Sequence, residues 1–414
     1  MFSKDRQYYK FSFYGFLKNL RFFEAFLLLF FLDNDLDFFR IGILYAIREV
    51  TINLLEIPSG MIADSIGRRR TLIIAFVFYI MSFVTFYFSG SFLVFIPAMF
   101  LYALGDAFRS GNNKAMIMDY LSRKGWEDQK VNYYGHTRSW SQLGSAVSAL
   151  AGGSIVFISG EYRYIFIFSV IPYLLDLVLI ISYPRYLDRS IKKLTHKDIL
   201  GQFRIVAKAF WKAIRSMAVL KAIANLSFYS GYYKAVKDYL QPVVKTFALT
   251  LPILVYMEDE KRASVFIAVV YFLLFLLTSL ASRKSDLFAR RFRHLGIPMN
   301  VTLLGGFLLG MLSGLFFWMD IYLVSILLFF GIYIIENLRK PIAVAYLSNT
   351  VERHVLASTL STDSQVKSFS AALLAPIIGI FADYLGVGIA IMIISLSMLM
   401  MTPVYRIRER QGTH

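Results

Sequence analysis

The 414-residue sequence has no cysteine, which excludes a disulfide framework and any thiolate-held metal site. Charge is scarce as well. Asp, Glu, Lys and Arg fill 17% of positions, against roughly a quarter in water-soluble chains. A larger core does not account for the deficit, because soluble cores stop growing near ~250–300 residues. No Gly-Lys dipeptide occurs, so the chain has no Walker loop and no direct ATP drive of its own. Neither H-E-x-x-H nor G-x-S-x-G is found, and the chain does not read as an enzyme. The five histidines (His136, His196, His294, His354, His414) lie far apart and read as surface or helix-end residues. No metal and no cofactor is expected.

What remains is apolar: 57% of residues are hydrophobic and mean hydropathy is +0.58. The apolar residues come in runs near the length that carries an α-helix across ~30 Å of hydrocarbon. Twelve such windows fall at 13–32, 41–62, 71–89, 92–119, 135–158, 163–183, 218–246, 263–281, 295–319, 321–347, 365–382 and 387–405. The fold class is therefore an all-α membrane protein of twelve transmembrane helices. The first window carries Lys18, Arg21 and Glu24 and is too long for a signal h-region, so it is expected to act as an uncleaved signal.

Orientation follows from the placement of lysine and arginine. With the N-terminus inside, the inner segments hold 27 of them and the outer loops four, Arg40, Arg163, Lys261 and Arg262. The outer loops are instead acidic, as in DNDLD at 33–37 and MEDE at 257–260. Both termini are thus expected in the cytoplasm, and the protein in the cell inner membrane. The net charge of +17 is explained by topology and calls for no nucleic-acid partner. The longest polar stretch divides the chain into an N-terminal six-helix half (1–183), a cytoplasmic linker with an amphipathic helix (184–217) and a C-terminal six-helix half (218–414).

After the second window comes Gly60-Met-Ile-Ala-Asp64-Ser-Ile-Gly67-Arg68-Arg69-Arg70. Glycine at 67 suits a tight interhelical turn, and the arginines can pair with Asp64. The second half echoes it after the eighth window with Asp286-Leu-Phe-Ala289-Arg290-Arg291, 222 residues on. Lys114 and Tyr120-Leu121 are likewise matched by Lys340 and Tyr346-Leu347. Such weak repetition is what duplicated transporters show. The loop, its place in the chain and the span count resemble the major facilitator superfamily, whose signature is G-x-x-x-D-x-x-G-R-[RK]. The resemblance implies two pseudo-symmetric six-helix halves and gating roles for Gly60, Asp64, Gly67, Arg68, Arg69, Asp286, Arg290 and Arg291. The fifth window carries Gly144-Ser-Ala-Val-Ser148-Ala149-Leu-Ala-Gly152-Gly153, which departs from the family's drug-antiporter stretch by replacing its central Gly-Pro. That run, and the Gly306, Gly310, Gly314 ladder, read as helix-packing faces.

Ionisable residues near a bilayer centre each cost about 2.5–3.5 kcal/mol on insertion scales, so they normally face a cavity or a partner. Here they recur with a three-helix period: Lys18, Arg21 and Glu24 on span 1, Asp106 and Arg109 on span 4, Lys234 and Asp238 on span 7, Glu336, Arg339 and Lys340 on span 10. Acid and base stand three or four residues apart in every set, hence on one helical face. Span 2 adds Arg48 and Glu49. In the resembled family spans 1, 4, 7 and 10 line the central cavity. The resemblance thus implies a secondary active transporter working by alternating access, proton-coupled through Glu24, Asp106, Asp238 or Glu336. A slight excess of bases over acids favours an anionic or zwitterionic small-molecule substrate. The expected partners are the lipid bilayer, that substrate and protons, with the protein a monomer. A non-transporting receptor or scaffold on the same fold is the alternative, and would need no charges in the cavity.

Overall fold

Where lipid replaces water, each backbone N–H and C=O must be satisfied within its own segment, so long apolar runs become helices. The computed structural model describes residues 4–126, 129–188, 201, 217–350 and 353–407, and among these it contains helices and no strand. The linker helix expected within 184–217 lies almost wholly outside the described residues.

Span 1 is two helices, α1 (Arg6–Lys18) and α2 (Leu27–Asp33), with Arg21 and Glu24 in the break between them. Spans 2 and 3 are α3 (Phe38–Ile66) and α4 (Arg68–Phe88). Span 4 is α5 (Phe92–Arg109) and α6 (Asn112–Arg123), interrupted at Gly111, whose φ is +72°. Spans 5 and 6 are α7 (Lys130–Ser159) and α8 (Tyr164–Ile181). Span 7 is α9 (Met217–Val236) and α10 (Leu240–Thr250) around a 3-10 turn, Lys237–Tyr239. Span 8 is α11 (Asp259–Arg283), followed by a short α12 (Ser285–Ala289). Spans 9 to 12 are α13 (Gly296–Trp318), α14 (Tyr322–Thr350), α15 (Arg353–Leu385) and α16 (Val387–Met400), with α17 (Thr402–Tyr405) at the end.

By length and composition eight segments of the described residues are apolar enough to cross a membrane. Spans 1, 2, 7 and 12 are the other four. The first and third of these are broken, α3 carries Arg48, Glu49 and Glu56, and α16 is 14 residues long. Large apolar side chains stand outward on the crossing helices, among them Phe88, Ile158, Val178 and Phe369, at 78%, 81%, 66% and 66% exposure. Such a surface belongs in lipid.

Contacts divide the chain into two compact units. One comprises Met1–Asp35, Ile47–Gly201 and Pro252–Leu276; the other comprises Leu36–Ala46, Gln202–Leu251 and Leu277–His414. Within the first, span 1 packs on 5 (α1 on α7), 3 on 4 (α4 on α5) and 3 on 6 (α4 on α8). The second pairs 7 with 11 (α9 on α15), 9 with 10 (α13 on α14) and 9 with 12 (α13 on α16). Each of these three pairings recurs six spans on, which is the pseudo-symmetry the repeated loop suggested.

Both interiors rest on aromatic and small residues. In the first unit Phe166 stacks on Phe86 at 4.8 Å and meets the edge of Phe30 at 4.6 Å. The small face of α7 seats on span 1, where a Cβ at Gly144 would overlap the carbonyl oxygen of Phe16 in α1 and one at Gly152 that of Phe22 in the break. In the second unit α13 offers three successive notches. Gly306 takes the Tyr229 ring, Gly310 the Tyr232 hydroxyl, and Gly314 the backbone of Gly388.

Candidate functional site

The break in span 1 delivers a cation to the middle of the first unit. Arg21 reaches Asp106 of α5 at 3.6 Å and donates to the Tyr173 hydroxyl at 3.1 Å. Arg109, one turn from Asp106, donates to the same carboxylate oxygen at 3.1 Å and to the Tyr79 hydroxyl at 2.9 Å. Tyr79 in turn donates to that oxygen at 2.5 Å. One carboxylate thus gathers two guanidiniums and a phenol. Tyr102 stands between two cations, with Arg21 at 5.9 Å and Arg48 at 5.8 Å from its ring centroid. Arg48 also contacts Glu49 at 3.3 Å. Lys18 closes α1 beside this group, and its carbonyl accepts from Tyr173 at 3.0 Å. Glu24 lies partly buried in the break.

The second unit is built differently. Glu336 is 2% exposed, accepts the Ser230 hydroxyl at 3.0 and 3.1 Å, and pairs with Lys340 at 3.4 Å. Arg339 turns away from it. Its guanidinium donates to Met299 O at 2.5 Å, Thr302 Oγ1 at 2.9 Å, Asn225 O at 2.9 Å and Asn225 Oδ1 at 2.8 Å, and lies over Tyr229. Every acceptor there is neutral, so this arginine fastens α14 to α9 and α13. α9 tightens into the 3-10 turn at Lys237–Tyr239, which carries Asp238. Asp238 pairs with Lys237 at 2.9 Å, and Lys234 reaches Ser368 at 3.4 Å. Acid and base thus pair along the helix at Asp106/Arg109 and Glu336/Lys340, while Arg339 is bound by neutral acceptors and Asp238 meets Lys237. Span 11 brings in Asp363, which accepts from Ser227 at 2.7 Å and from Lys367 at 3.4 Å. Sequence spacing gave it no prominence.

Both signature loops form their expected i,i+4 pairs, Asp64 with Arg68 at 3.9 Å and Asp286 with Arg290 at 2.8 Å. Arg291 is exposed, and Gly60 has open space around it. The first loop has a partner the motif does not name. Asp188 accepts the Arg70 N–H at 3.2 Å and pairs with its guanidinium at 3.3 Å, while Arg69 donates to the Ile181 carbonyl at 2.9 Å. Gly67 has a φ of +100°, and a Cβ there would run into the Asp188 carboxylate. A glycine is required twice over, by backbone and by space.

The comparisons with known proteins agree with this architecture. The sequence profile of the Major Facilitator Superfamily matches residues 16–362. An uncharacterised MFS-type transporter of Bacillus subtilis (strain 168), YxaM, is 22% identical over 405 residues, covering 92% of this chain and 90% of its own. The vesicular acetylcholine transporter of Tetronarce californica is 29% identical over 152 residues, 36% of this chain and 29% of that one. Among solved structures, a POT family transporter in complex with 5-aminolevulinic acid superposes with a TM-score of 0.75 at 14% identity, covering 98% of this chain and 96% of that one. The nucleoside transporter NupG gives 0.76 at 11% identity, covering 97% and 98%. With residues 16–362 matched, the chain belongs to the Major Facilitator Superfamily of membrane transporters.

Proposed function

We propose that the protein is a proton-coupled secondary active transporter of small solutes bearing a carboxylate or similar anionic group. It works by alternating access between residues 1–183 and 218–414, with both termini in the cytoplasm, as a monomer of the cell inner membrane. The observation that carries the substrate class is the cluster around Asp106. Lys18, Arg21 and Arg109 meet there, and Asp106, which pairs with the two arginines, does not balance three cations. A partly buried excess of positive charge is completed by an anion from outside. Arginine suits this, because its fork matches a carboxylate in plane. The POT family transporter with 5-aminolevulinic acid, a zwitterion carrying a carboxylate, is compatible with that chemistry. The loops at 60–70 and 286–291 serve as cytoplasmic gating elements, with Asp188 holding the first.

The test uses purified full-length protein in proteoliposomes with an imposed pH gradient. 5-Aminolevulinic acid, dialanine and uridine are the probes. Uptake of a carboxylate-bearing probe above its own gradient, abolished by a protonophore, is expected, with uridine inert. Uptake indifferent to the pH gradient would remove the proton coupling, and uptake of uridine alone would remove the anionic class.

A further inference from the structure

Asp176, on α8, is fully buried, and neither of its carboxylate oxygens has a hydrogen-bond partner among the described residues. Buried polar atoms are nearly always satisfied, so an orphan calls for a reason. For a carboxylate the call is sharper, since an ionised one without donors is among the costliest groups to bury. The helices packed on α8 are α1, α4 and α7. From α1 come Lys18, the one charged side chain among the described residues whose field acts on Asp176, and the Tyr14 hydroxyl, itself buried and without a partner among them. At the start of α4, Arg68 pairs with Asp64, Arg70 with Asp188, and Arg69 donates to the Ile181 carbonyl while its Nε has no partner among the described residues. Among the described residues no charged group of α7 acts on it, and Tyr183, just beyond α8, is a further titratable neighbour.

Lys18 is the complementary oddity. Arg21 and Arg109 are engaged by Asp106, Tyr79 and Tyr173, whereas the Lys18 ammonium has no acid within 4.0 Å among the described residues. An acid without a donor and a base without an acid therefore sense one another across more than ion-pair distance. Asp106 makes a poor proton carrier by comparison, because protonating it would strand two guanidiniums at once.

We propose that Asp176 carries the coupled proton, and that its protonation decides whether Lys18 is free to hold the anionic group of the solute. This rests on the proton-coupled reading above. With the proton on, Asp176 is a neutral acid, and the Lys18 ammonium keeps an uncompensated charge that an incoming carboxylate can pair with. When Asp176 gives its proton to water, the new carboxylate draws the ammonium into an ion pair and the solute loses its counter-charge. One proton and one anionic group are thereby bound together and released together, and only the O–H bond of Asp176 is made or broken. The coupling is symport.

Infrared difference spectra of the purified full-length protein, reconstituted in phosphatidylethanolamine–phosphatidylglycerol liposomes and stepped from acid to alkaline buffer, test this with the proton as probe. A protonated-carboxyl band that fades as pH rises is expected in the wild type. Asp176→Asn should remove it, Asp176→Glu should keep a titrating band, and Lys18→Gln should displace its midpoint. A band that persists in Asp176→Asn overturns the assignment, and so does a midpoint indifferent to Lys18→Gln. If Asp176→Asn fails to fold, the Asp176→Glu and Lys18→Gln pair makes the same comparison. In the transport assay, solute-driven proton flux that is unchanged in Asp176→Asn would overturn this inference and leave coupled transport standing. Absence of any such flux in the wild type would instead remove the coupled reading, while the spectra would still report on Asp176.

Discussion

Asp383, near the end of α15, accepts the backbone N–H of Phe38 at 2.8 Å on one carboxylate oxygen and that of Phe39 at 2.8 Å on the other. The first turn of α3 is thus capped by an acid 345 residues away, inside the same compact unit. A capping acid at an exposed helix start is worth about 1 kcal/mol. Asp383→Ala should therefore lower the melting temperature measurably, and Asp383→Asn by less, since the amide oxygen can still accept. Unchanged melting in detergent for Asp383→Ala would show that the cap contributes nothing.

Gly67→Ala should damage the first signature loop more than Asp188→Ala does. The alanine meets both a left-handed φ, which costs an L-residue roughly 1–2 kcal/mol, and the Asp188 carboxylate. Asp188→Ala removes an ion pair with a largely exposed Arg70, a contact worth at most about 1 kcal/mol. Comparing folded yield and melting for the two variants checks the order.

Arg339 and Arg109 should part company when each is changed to lysine. Arg339 donates to four acceptors on three residues, and an ammonium cannot span that fork. Leaving buried acceptors unmatched costs about 1–3 kcal/mol each, so Arg339→Lys should lose much of its folded yield. Arg109→Lys should stay folded and lose solute binding. Size-exclusion profiles and ligand-shifted melting separate these outcomes.

Asp106→Asn should destabilise the first unit by setting Arg21 and Arg109 against each other. Adding Arg109→Gln to Asp106→Asn should recover a good part of the loss, giving a coupling of at least about 1 kcal/mol for groups in direct contact. Strict additivity in that cycle would mean the pair does not interact.

Because the chain contains no cysteine, single thiols report topology on a clean background. Asp35→Cys and Asp259→Cys should label from outside intact cells, and Ser190→Cys and Gln411→Cys only after permeabilisation. Labelling of Ser190→Cys from outside would invert the orientation drawn from the lysine and arginine bias.

Helix count and order were legible because lipid solubility imposes run length, and run length survives in a one-dimensional reading. Breaks were less so. The windows at 13–32 and 218–246 read as continuous helices, yet span 1 opens after Lys18 and span 7 tightens at Lys237–Tyr239. At these places tertiary bonds outweigh local periodicity, as when Tyr173 claims the Lys18 carbonyl. The charged half of the site could be read from spacing, but Tyr79, Tyr102 and Tyr173 could not be picked out among 26 tyrosines. Asp188 escaped because its partner loop is 118 residues away. Asp176 stands alone on an apolar helix, and i,i+4 reasoning has nothing to say about a residue without a helical neighbour of opposite charge.

The notches of α13 bear on how such a sequence can change over time. Tyr229 fills the space at Gly306 and Tyr232 that at Gly310, so a larger residue at 306 or 310 collides with a ring, and a smaller one at 229 or 232 leaves a void. Either single step is harmful, while a matched pair of steps need not be. Positions 306 and 229, and 310 and 232, are therefore expected to covary among relatives, with glycine lost only where the facing tyrosine has been lost too. Drift along this interface is confined to coupled substitutions, and its pace is set by how often the second arrives before the first is purged.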